Sequence, residues 1–296
     1  MENKPIRRRN DGNEEAEKRS WSDMPTDILL QIFAFLSVVD RIFNVSMVCR
    51  SWYSACSNKI IWNSLDLCEI KHQLISSQNF VAKPQLQVIF KLVINLGGEN
   101  LTTLIIDPML EVDDEHLIYA AERCPNLKQL GLPSLKGTTN LGLRTAFSHW
   151  TNLESMFVSF GSCFPYLHIF KIIGENCPNF TELKLSVSCV DKKTASAITK
   201  SLPNLKVLSV RSFLFKKEAA ITLLNVLMDL DKLYISICKL INNNDGSVFP
   251  PPIMYDQRVL QRASRLQIYH TCFTGECNIA CPASTMGPPL LHPFEW

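Results

Sequence analysis

An aliphatic pattern of the form L-x-x-L-x-L recurs six times in the middle of this chain. Successive copies begin 25 to 27 residues apart and comprise Leu101/Leu104/Ile106, Leu127/Leu130/Leu132, Leu153/Met156/Val158, Phe180/Leu183/Leu185, Leu205/Leu208/Val210 and Leu230/Leu233/Ile235. A nearly constant period of this length indicates a repeat architecture, in which each unit buries its apolar side against its neighbours. We therefore expect a solenoid, an architecture that usually serves as a binding surface.

Each copy of the pattern is followed by a segment with helical spacing and helix-cap signals. Asp113 and Asp191 are placed to open two of these segments, while Pro125 and Pro178 are placed to end two of them. The repeat unit is thus predicted to be one short strand plus one helix. Stacked units form a curved parallel sheet, with the aliphatic side chains pointing inward and the alternate side chains on the concave surface.

Weaker signals extend the repeats in both directions. An irregular first unit is predicted near Trp62, before the first copy of the pattern. A last helix and strand are predicted within residues 259–269, where Leu266 and Ile268 are expected to point inward.

Residues 21–62 precede the repeats and follow a different pattern. Met24-Pro25 begins a predicted helix whose 3.6-residue period separates two apolar faces: Ile28, Ile32 and Phe35 on one, and Leu29, Phe33 and Leu36 on the other. A unit of about 40 residues buries only one face per helix, and each large side chain left in water forgoes about 1.5–3 kcal/mol. The pattern alone leaves two alternatives: a partner protein covers the second face, or this face packs on the solenoid.

Composition argues against several classes of function. Lys and Arg number 30 against 28 Asp and Glu, a balance too even for whole-chain binding to nucleic acid. No stretch approaches the roughly 18 apolar residues of a membrane span, and the first twenty residues lack the apolar core of a secretory signal. We therefore expect a cytoplasmic or nuclear protein with reduced cysteines, and neither nucleic acid nor membrane as a partner.

No arrangement of side chains predicts catalysis, a cofactor or a metal. No catalytic constellation of Ser, Cys or Asp accompanies the histidines on helical segments, and phosphate-binding glycine loops are absent. His270, Cys272, Cys277 and Cys281 lie within a dozen residues, but their spacing is not that of the usual zinc knuckles, so loop thiols are the favoured interpretation. The chain is therefore predicted not to be an enzyme.

The N-terminal segment resembles the F-box. Its residues match the F-box consensus L-P-x-E-x-L-x-x-I-F-x-x-L, V-C-[KR]-x-W and a late L-W at Met24-Pro25-x-x-Ile28-Leu29-x-x-Ile32-Phe33-x-x-Leu36, Val48-Cys49-Arg50-x-Trp52 and Trp62. Met24 departs from the usual leucine. The C-P-N-L-x-x-L-x-L units resemble the cysteine-containing leucine-rich repeats often fused to F-boxes in plants. Their usual Asn or Cys after the L-x-L occurs clearly only at Cys238, so backbone or water must replace that side-chain ladder.

This resemblance implies an α/β fold with a three-helix F-box at residues 21–62 and a leucine-rich-repeat solenoid with a curved parallel sheet at residues 63–270. Residues 1–20 are predicted to be a disordered tail and residues 271–296 an irregular one. The F-box is expected to bind the Skp-type adaptor of a cullin-RING ubiquitin ligase. The adaptor contacts implied by position in the motif are Met24, Pro25, Ile28, Leu29, Ile32, Phe33, Leu36, Val48, Cys49 and Trp52.

The repeats are expected to capture a protein substrate on their concave surface. Specificity is predicted to depend first on Phe157, Lys184, Arg211, Lys232 and Tyr234. The alternative is a scaffold that acts outside the ligase, or a repeat protein whose N-terminal helices merely form a cap. By family analogy alone, a small-molecule co-ligand on the concave surface stays open.

Overall fold

Eight strands pair in chain order to form one parallel sheet. The computed structural model describes residues 21–68, 83–107, 110–160, 167–237 and 256–273. Within them the strands are β1 Ser64–Asp66, β2 Thr103–Ile105, β3 Gln129–Leu132, β4 Ser155–Ser159, β5 Glu182–Val190, β6 Val207–Phe215, β7 Lys232–Ile237 and β8 Ile268–Phe273. The predicted α/β repeat architecture is confirmed, including the first unit near Trp62.

The α-helices within the same residues fall into two groups. Those that alternate with strands are α3 Lys83–Gly97, α4 Asp114–Arg123, α5 Asn140–His149, α6 His168–Asn176, α7 Lys192–Ser201, α8 Lys217–Val226 and α9 Gln257–Ala263. The N-terminal helical unit contains α1 Thr26–Ala34, α2 Arg50–Cys56, a π-helical turn at Asp40–Asn44 and 3-10 turns at Trp21–Asp23, Val45–Met47 and Lys59–Trp62. None of these helices is both long and apolar enough to span a bilayer.

Helix starts in the solenoid coincide with capping side chains. The Asp113 carboxylate accepts a hydrogen bond from the His116 N–H at 3.0 Å, and the Asp191 carboxylate accepts one from the Thr194 N–H at 2.9 Å. Both acceptors satisfy amide groups that have no partner within the first helical turn. The acidic residues that open α4 and α7 therefore act as N-caps, as their positions predict.

The sheet register places the aliphatic repeat positions in one inward row. This row runs through Leu104, Leu130, Met156, Leu183, Leu208 and Leu233, all fully buried. The hydrophobic core is continuous from Leu29 in α1 to Leu266 after α9. The N-terminal helical unit and the solenoid therefore share one core.

Strand β8 differs in part from the prediction. Leu266 is buried, as expected, but Ile268 pairs with Lys232 and is 38% exposed, whereas Tyr269 pairs with the inward Leu233. The inward orientation predicted for Ile268 is therefore wrong. A register shift of one residue moves a side chain to the other face of a sheet, and pairing with β7 sets this register. Strand β8 also continues to Phe273, beyond the predicted end of the repeats at residue 270.

Backbone hydrogen bonds connect successive repeats where each strand begins. The Thr102 carbonyl accepts two N–H groups, from Lys128 and Gln129, and the Lys128 carbonyl accepts two from Glu154 and Ser155. The same arrangement continues at the carbonyls of Glu154, Thr181 and Lys206, with N···O distances of 2.8–3.1 Å. These bonds give the amide groups at the strand starts backbone partners in the preceding repeat. Cys238 lies outside the described residues.

Candidate partner-binding surfaces

Helix α1 has two apolar faces that differ in burial. Leu29 and Phe33 are buried, and the Phe33 ring meets the Trp52 ring edge-on with centroids 5.2 Å apart. On the other face, Ile28 is 39% exposed and Ile32 is 41% exposed. One face therefore packs into the chain's own core, and the second face does not pack on the solenoid but remains at the surface. The alternative in which a partner protein covers this second face stays a prediction.

The ten predicted adaptor contacts differ in their exposure. Leu29 and Phe33 are buried within the chain, so we correct the prediction for these two, because a core side chain offers no surface to a partner. The exposed members are Pro25, Ile28, Ile32 and Val48, and the half-buried members are Met24, Leu36, Cys49 and Trp52.

Six further apolar side chains of the helical unit are exposed. They are Trp21, Phe35, Phe43, Met47, Tyr53 and Ile60, and Phe35 is 91% exposed. Phe35 lies seven residues after Ile28, so the helical period already places it on the same face as Ile28 and Ile32. We call Ile28, Ile32 and Phe35 the α1 stripe. The other five positions depend on how the turns pack, which local spacing does not show.

Long-range hydrogen bonds hold the start of the helical unit against α2. The Ser51 hydroxyl donates to the Ser22 carbonyl at 2.9 Å, and the Trp52 indole N–H donates to the Trp21 carbonyl at 3.1 Å. Beside them, a hydrogen bond with Ser51 lowers the pKa of the half-buried Cys49 thiol. The backbone of Trp21 is therefore held next to α2, and its exposed ring adds to the apolar surface of this unit.

A buried arginine holds the last turn of the helical unit, which leads into the solenoid. The Arg41 guanidinium donates to the carbonyls of Leu36 and Ile61 and lies over the Trp62 ring, 5.1 Å from its centroid. The Trp62 indole N–H donates to the Cys56 carbonyl at 2.7 Å. The Lys59–Trp62 turn ends two residues before β1 and packs against both α1 and α3, so these contacts hold the helical unit where it meets the first repeat.

The five predicted substrate residues lie on three rows of the concave surface. Phe157, Lys184 and Tyr234 belong to one row, whereas Lys232 lies two residues before this row and Arg211 two residues after it. Phe157 and Lys184 are each 7% exposed, and the other three side chains are half-buried. The register thus places all five on one face, but the first two are largely covered.

Two side-chain pairs lie on the C-terminal half of the concave surface. The Lys184 ammonium lies 3.4 Å from a Glu182 carboxylate oxygen. The Tyr234 ring and the His270 ring, on adjacent strands, have centroids 6.5 Å apart. Both pairs combine residues from positions that alternate with the buried aliphatic rows, so they face away from the core.

His116, Cys124 and Cys177 are packed within the solenoid. His116 is buried, and its ring Nδ1 lies 2.6 Å from the Asp113 carboxylate that caps α4. Cys124 and Cys177 are buried at the ends of α4 and α6, and burial raises the pKa of both thiols to about 12. The side chains of Cys272, Cys277 and Cys281 lie outside the described residues. Among those described, no three His, Cys, Asp or Glu side chains are grouped as a metal site requires.

Comparison with known proteins gives consistent matches along the chain. The family model described as F-box-like matches residues 21–68. An F-box/LRR-repeat protein of Arabidopsis thaliana is 32% identical over 272 residues, which cover 89% of this chain and 87% of that protein.

Two further Arabidopsis thaliana proteins are also similar in sequence to this chain. One bears an F-box name and is 30% identical, over 86% of this chain and 88% of its own length. The F-box protein SKIP1 is 25% identical, over 57% of this chain and 56% of its own length. The similarity therefore extends through both the helical unit and the repeats.

Proposed function

Because the chain belongs to the F-box/leucine-rich-repeat family, we propose that it is a substrate-recognition adaptor of a Skp-cullin-F-box type ubiquitin ligase. Its F-box, residues 21–62, binds the Skp-type adaptor and through it a cullin-RING ligase. Its repeats bind a protein substrate on their concave surface. The protein acts in the cytoplasm, the nucleus or both.

The observation that carries this proposal is the α1 stripe. Ile28, Ile32 and Phe35 remain exposed although the same helix already contributes Leu29 and Phe33 to the core. Fully burying such a side chain is worth about 1.5–3 kcal/mol, so covering the three together is a substantial source of binding free energy. An apolar stripe of this kind on a folded helix is typical of a protein-protein contact.

The proposed mechanism requires no covalent chemistry from this chain. By binding the ligase through one end and a substrate through the other, the protein raises the effective concentration of a substrate lysine near a ubiquitin carrier. The continuous core supports this role, because it joins the helical unit to the solenoid through packed side chains rather than through an open linker.

A co-purification experiment tests adaptor binding. The full chain is expected to capture a Skp-type adaptor, and the double variant Ile32→Glu/Phe35→Glu is expected to lose it while keeping its thermal unfolding transition. Phe33 is left unchanged because a charge at this buried position would disturb the core. Leu141→Glu is the matched control, since Leu141 is a 75% exposed leucine on α5 of the solenoid.

Two results oppose the proposal. Failure of the folded wild-type chain to bind any Skp-type adaptor overturns it. If the adaptor binds but no cullin joins the complex, the scaffold function outside the ligase replaces it. A ligase function is supported if proteins bound by the chain accumulate ubiquitin when the proteasome is blocked, and do so with the wild type but not with the Ile32→Glu/Phe35→Glu variant.

A further inference from the structure

The concave surface of the solenoid is electrically asymmetric. On β1 to β4, Asp66 is the one charged side chain among the described outward positions. On β5 to β8, the outward positions carry three cations, Lys184, Arg211 and Lys232, against the single carboxylate of Glu182. Positive charge is therefore concentrated on the half of the sheet that lies away from the F-box.

The covered lysine and the glutamate largely offset each other. Lys184 is 7% exposed and lies 3.4 Å from Glu182, so this pair contributes little net charge to the surface. Arg211 and Lys232 are half-buried and remain accessible in part. They carry most of the positive charge that a partner protein would meet on this face.

Aromatic side chains lie between and beside these cations. Phe213 follows Arg211 by two residues on β6 and is 54% exposed. Tyr234 follows Lys232 by two residues on β7 and pairs with the His270 ring on β8. The surface thus offers apolar contact area next to cationic groups. We call Arg211, Phe213, Lys232, Tyr234 and His270 the basic strand patch.

From this arrangement we infer that the basic strand patch binds an extended acidic segment of the substrate protein, one that also carries an apolar or aromatic side chain. The inference rests on the proposed function, because it names the substrate class of the same concave surface. Strands about 4.8 Å apart make β5 to β8 about 14 Å wide, which an extended segment of four or five residues crosses. Its carboxylates meet Arg211 and Lys232, and its apolar side chain packs against Phe213. Complementary charge also steers the encounter.

Selection from a random peptide library tests the chemistry of the partner directly. The full chain, held in its complex with a Skp-type adaptor, is used to select from displayed 16-residue random peptides. The wild type is expected to enrich peptides rich in Asp and Glu that contain an aromatic or aliphatic residue. The double variant Arg211→Glu/Lys232→Glu is expected to bind these peptides at least about tenfold more weakly and to select Lys- and Arg-rich peptides instead.

The helices provide a matched control. A groove between α7 and the start of α8 is lined by four lysines and two carboxylates, namely Lys192, Lys193, Lys200, Lys216, Asp191 and Glu218. The variant Lys192→Glu/Lys200→Glu carries the same change of charge as the strand variant and is expected to select the same acidic peptides as the wild type. Phe213→Ser is expected to keep the acidic preference but to lose the enrichment of apolar residues.

Three outcomes overturn the inference. In the first, the wild type enriches neutral or basic peptides, or no peptide that depends on Arg211 and Lys232. In the second, the helix variant rather than the strand variant abolishes selection, which assigns the acidic partner to the helix groove. In the third, a single-stranded oligonucleotide with the net charge of the best peptide displaces it at equal concentration, which assigns the patch to nucleic acid.

The same preparations separate this inference from the proposed function. Adaptor capture depends on Ile32 and Phe35 and is expected to be unchanged in the Arg211→Glu/Lys232→Glu variant. If the wild-type chain binds the adaptor but does not select acidic peptides, only the inferred substrate class is overturned. Loss of adaptor capture by the wild-type chain overturns the ligase function, whatever peptides the free chain selects.

Discussion

The F-box and the solenoid share one core but leave very different amounts of apolar side chain exposed. Nine large hydrophobic residues are exposed within residues 21–62, and nine are exposed over the whole of the described repeats. Each inner repeat is covered by a neighbour on both sides, whereas the F-box contacts the solenoid through one side only. The F-box therefore leaves a higher density of apolar side chains exposed than the repeats do.

Phenylalanine substitutions in the two regions give the largest expected contrast. Phe170 in α6 is fully buried, so Phe170→Ala is expected to lower the free energy of unfolding by about 3–5 kcal/mol. Phe35→Ala is expected to change it by less than about 0.5 kcal/mol but to weaken adaptor binding. Urea unfolding followed by circular dichroism measures the first effect and co-purification the second. Similar stability losses in the two variants would show that the α1 stripe is packed within the chain.

Thiol alkylation compares the same regions without mutation. Burial raises the pKa of Cys124 and Cys177 in the solenoid to about 12, whereas a hydrogen bond with Ser51 lowers that of Cys49 in the F-box. At pH 8 the buried thiols have a thiolate fraction roughly a thousandfold below that of an ordinary cysteine.

Peptide mass mapping after brief iodoacetamide treatment is expected to find Cys49 labelled and Cys124 and Cys177 unlabelled. Unfolding the protein in urea before treatment is expected to remove this difference and serves as the control. Rapid labelling of Cys177 in the folded protein would contradict the description of a closed solenoid core. Adaptor binding is expected to slow the labelling of Cys49.

Helix packing within the solenoid is tested by Gly174→Ala. A Cβ atom at Gly174 in α6 would overlap the Ser201 carbonyl oxygen at the end of α7, and backbone atoms do not move aside easily. We expect a loss of about 1–3 kcal/mol, seen as a lower thermal unfolding temperature, with adaptor binding retained. Ser148→Ala, at an exposed position of α5, is the control. An unchanged unfolding temperature would mean that α6 and α7 lie further apart than described.

The smallest expected effect concerns the acid stability of the solenoid. A hydrogen bond from the Thr194 N–H lowers the pKa of Asp191. The stabilisation by this carboxylate is therefore present above its unfolded pKa of about 4 and is lost as the pH falls through the lower folded value. Asp191→Asn keeps a capping oxygen without the charge, so its unfolding temperature should lie below that of the wild type at pH 6 and converge with it at pH 3. If the difference in unfolding temperature between the wild type and the variant stays constant with pH, the Asp191 charge makes no such contribution to stability.

Much of the solenoid and part of the binding surface follow from local sequence patterns. The repeat spacing predicts both the order of the strands and the alignment of Leu104 with Leu130 and of Leu208 with Leu233, because identical units stack in identical register. The helical period predicts the two faces of α1. Ile268 was misplaced because the last strand follows an interrupted repeat, and only pairing with β7 sets its register.

The sequence by itself determined the repeat architecture, the F-box motif and the family, because each of these depends on residues at fixed short spacing. Only the tertiary structure decided which side chains of the F-box stay exposed: Phe33 packs against Trp52 and is removed from the surface, while Phe35 stays in water. It also decided that Arg41 would hold the last turn of the helical unit at Ile61 and Trp62. These contacts unite residues about twenty positions apart, and their burial depends on the packing of elements that no local pattern encodes.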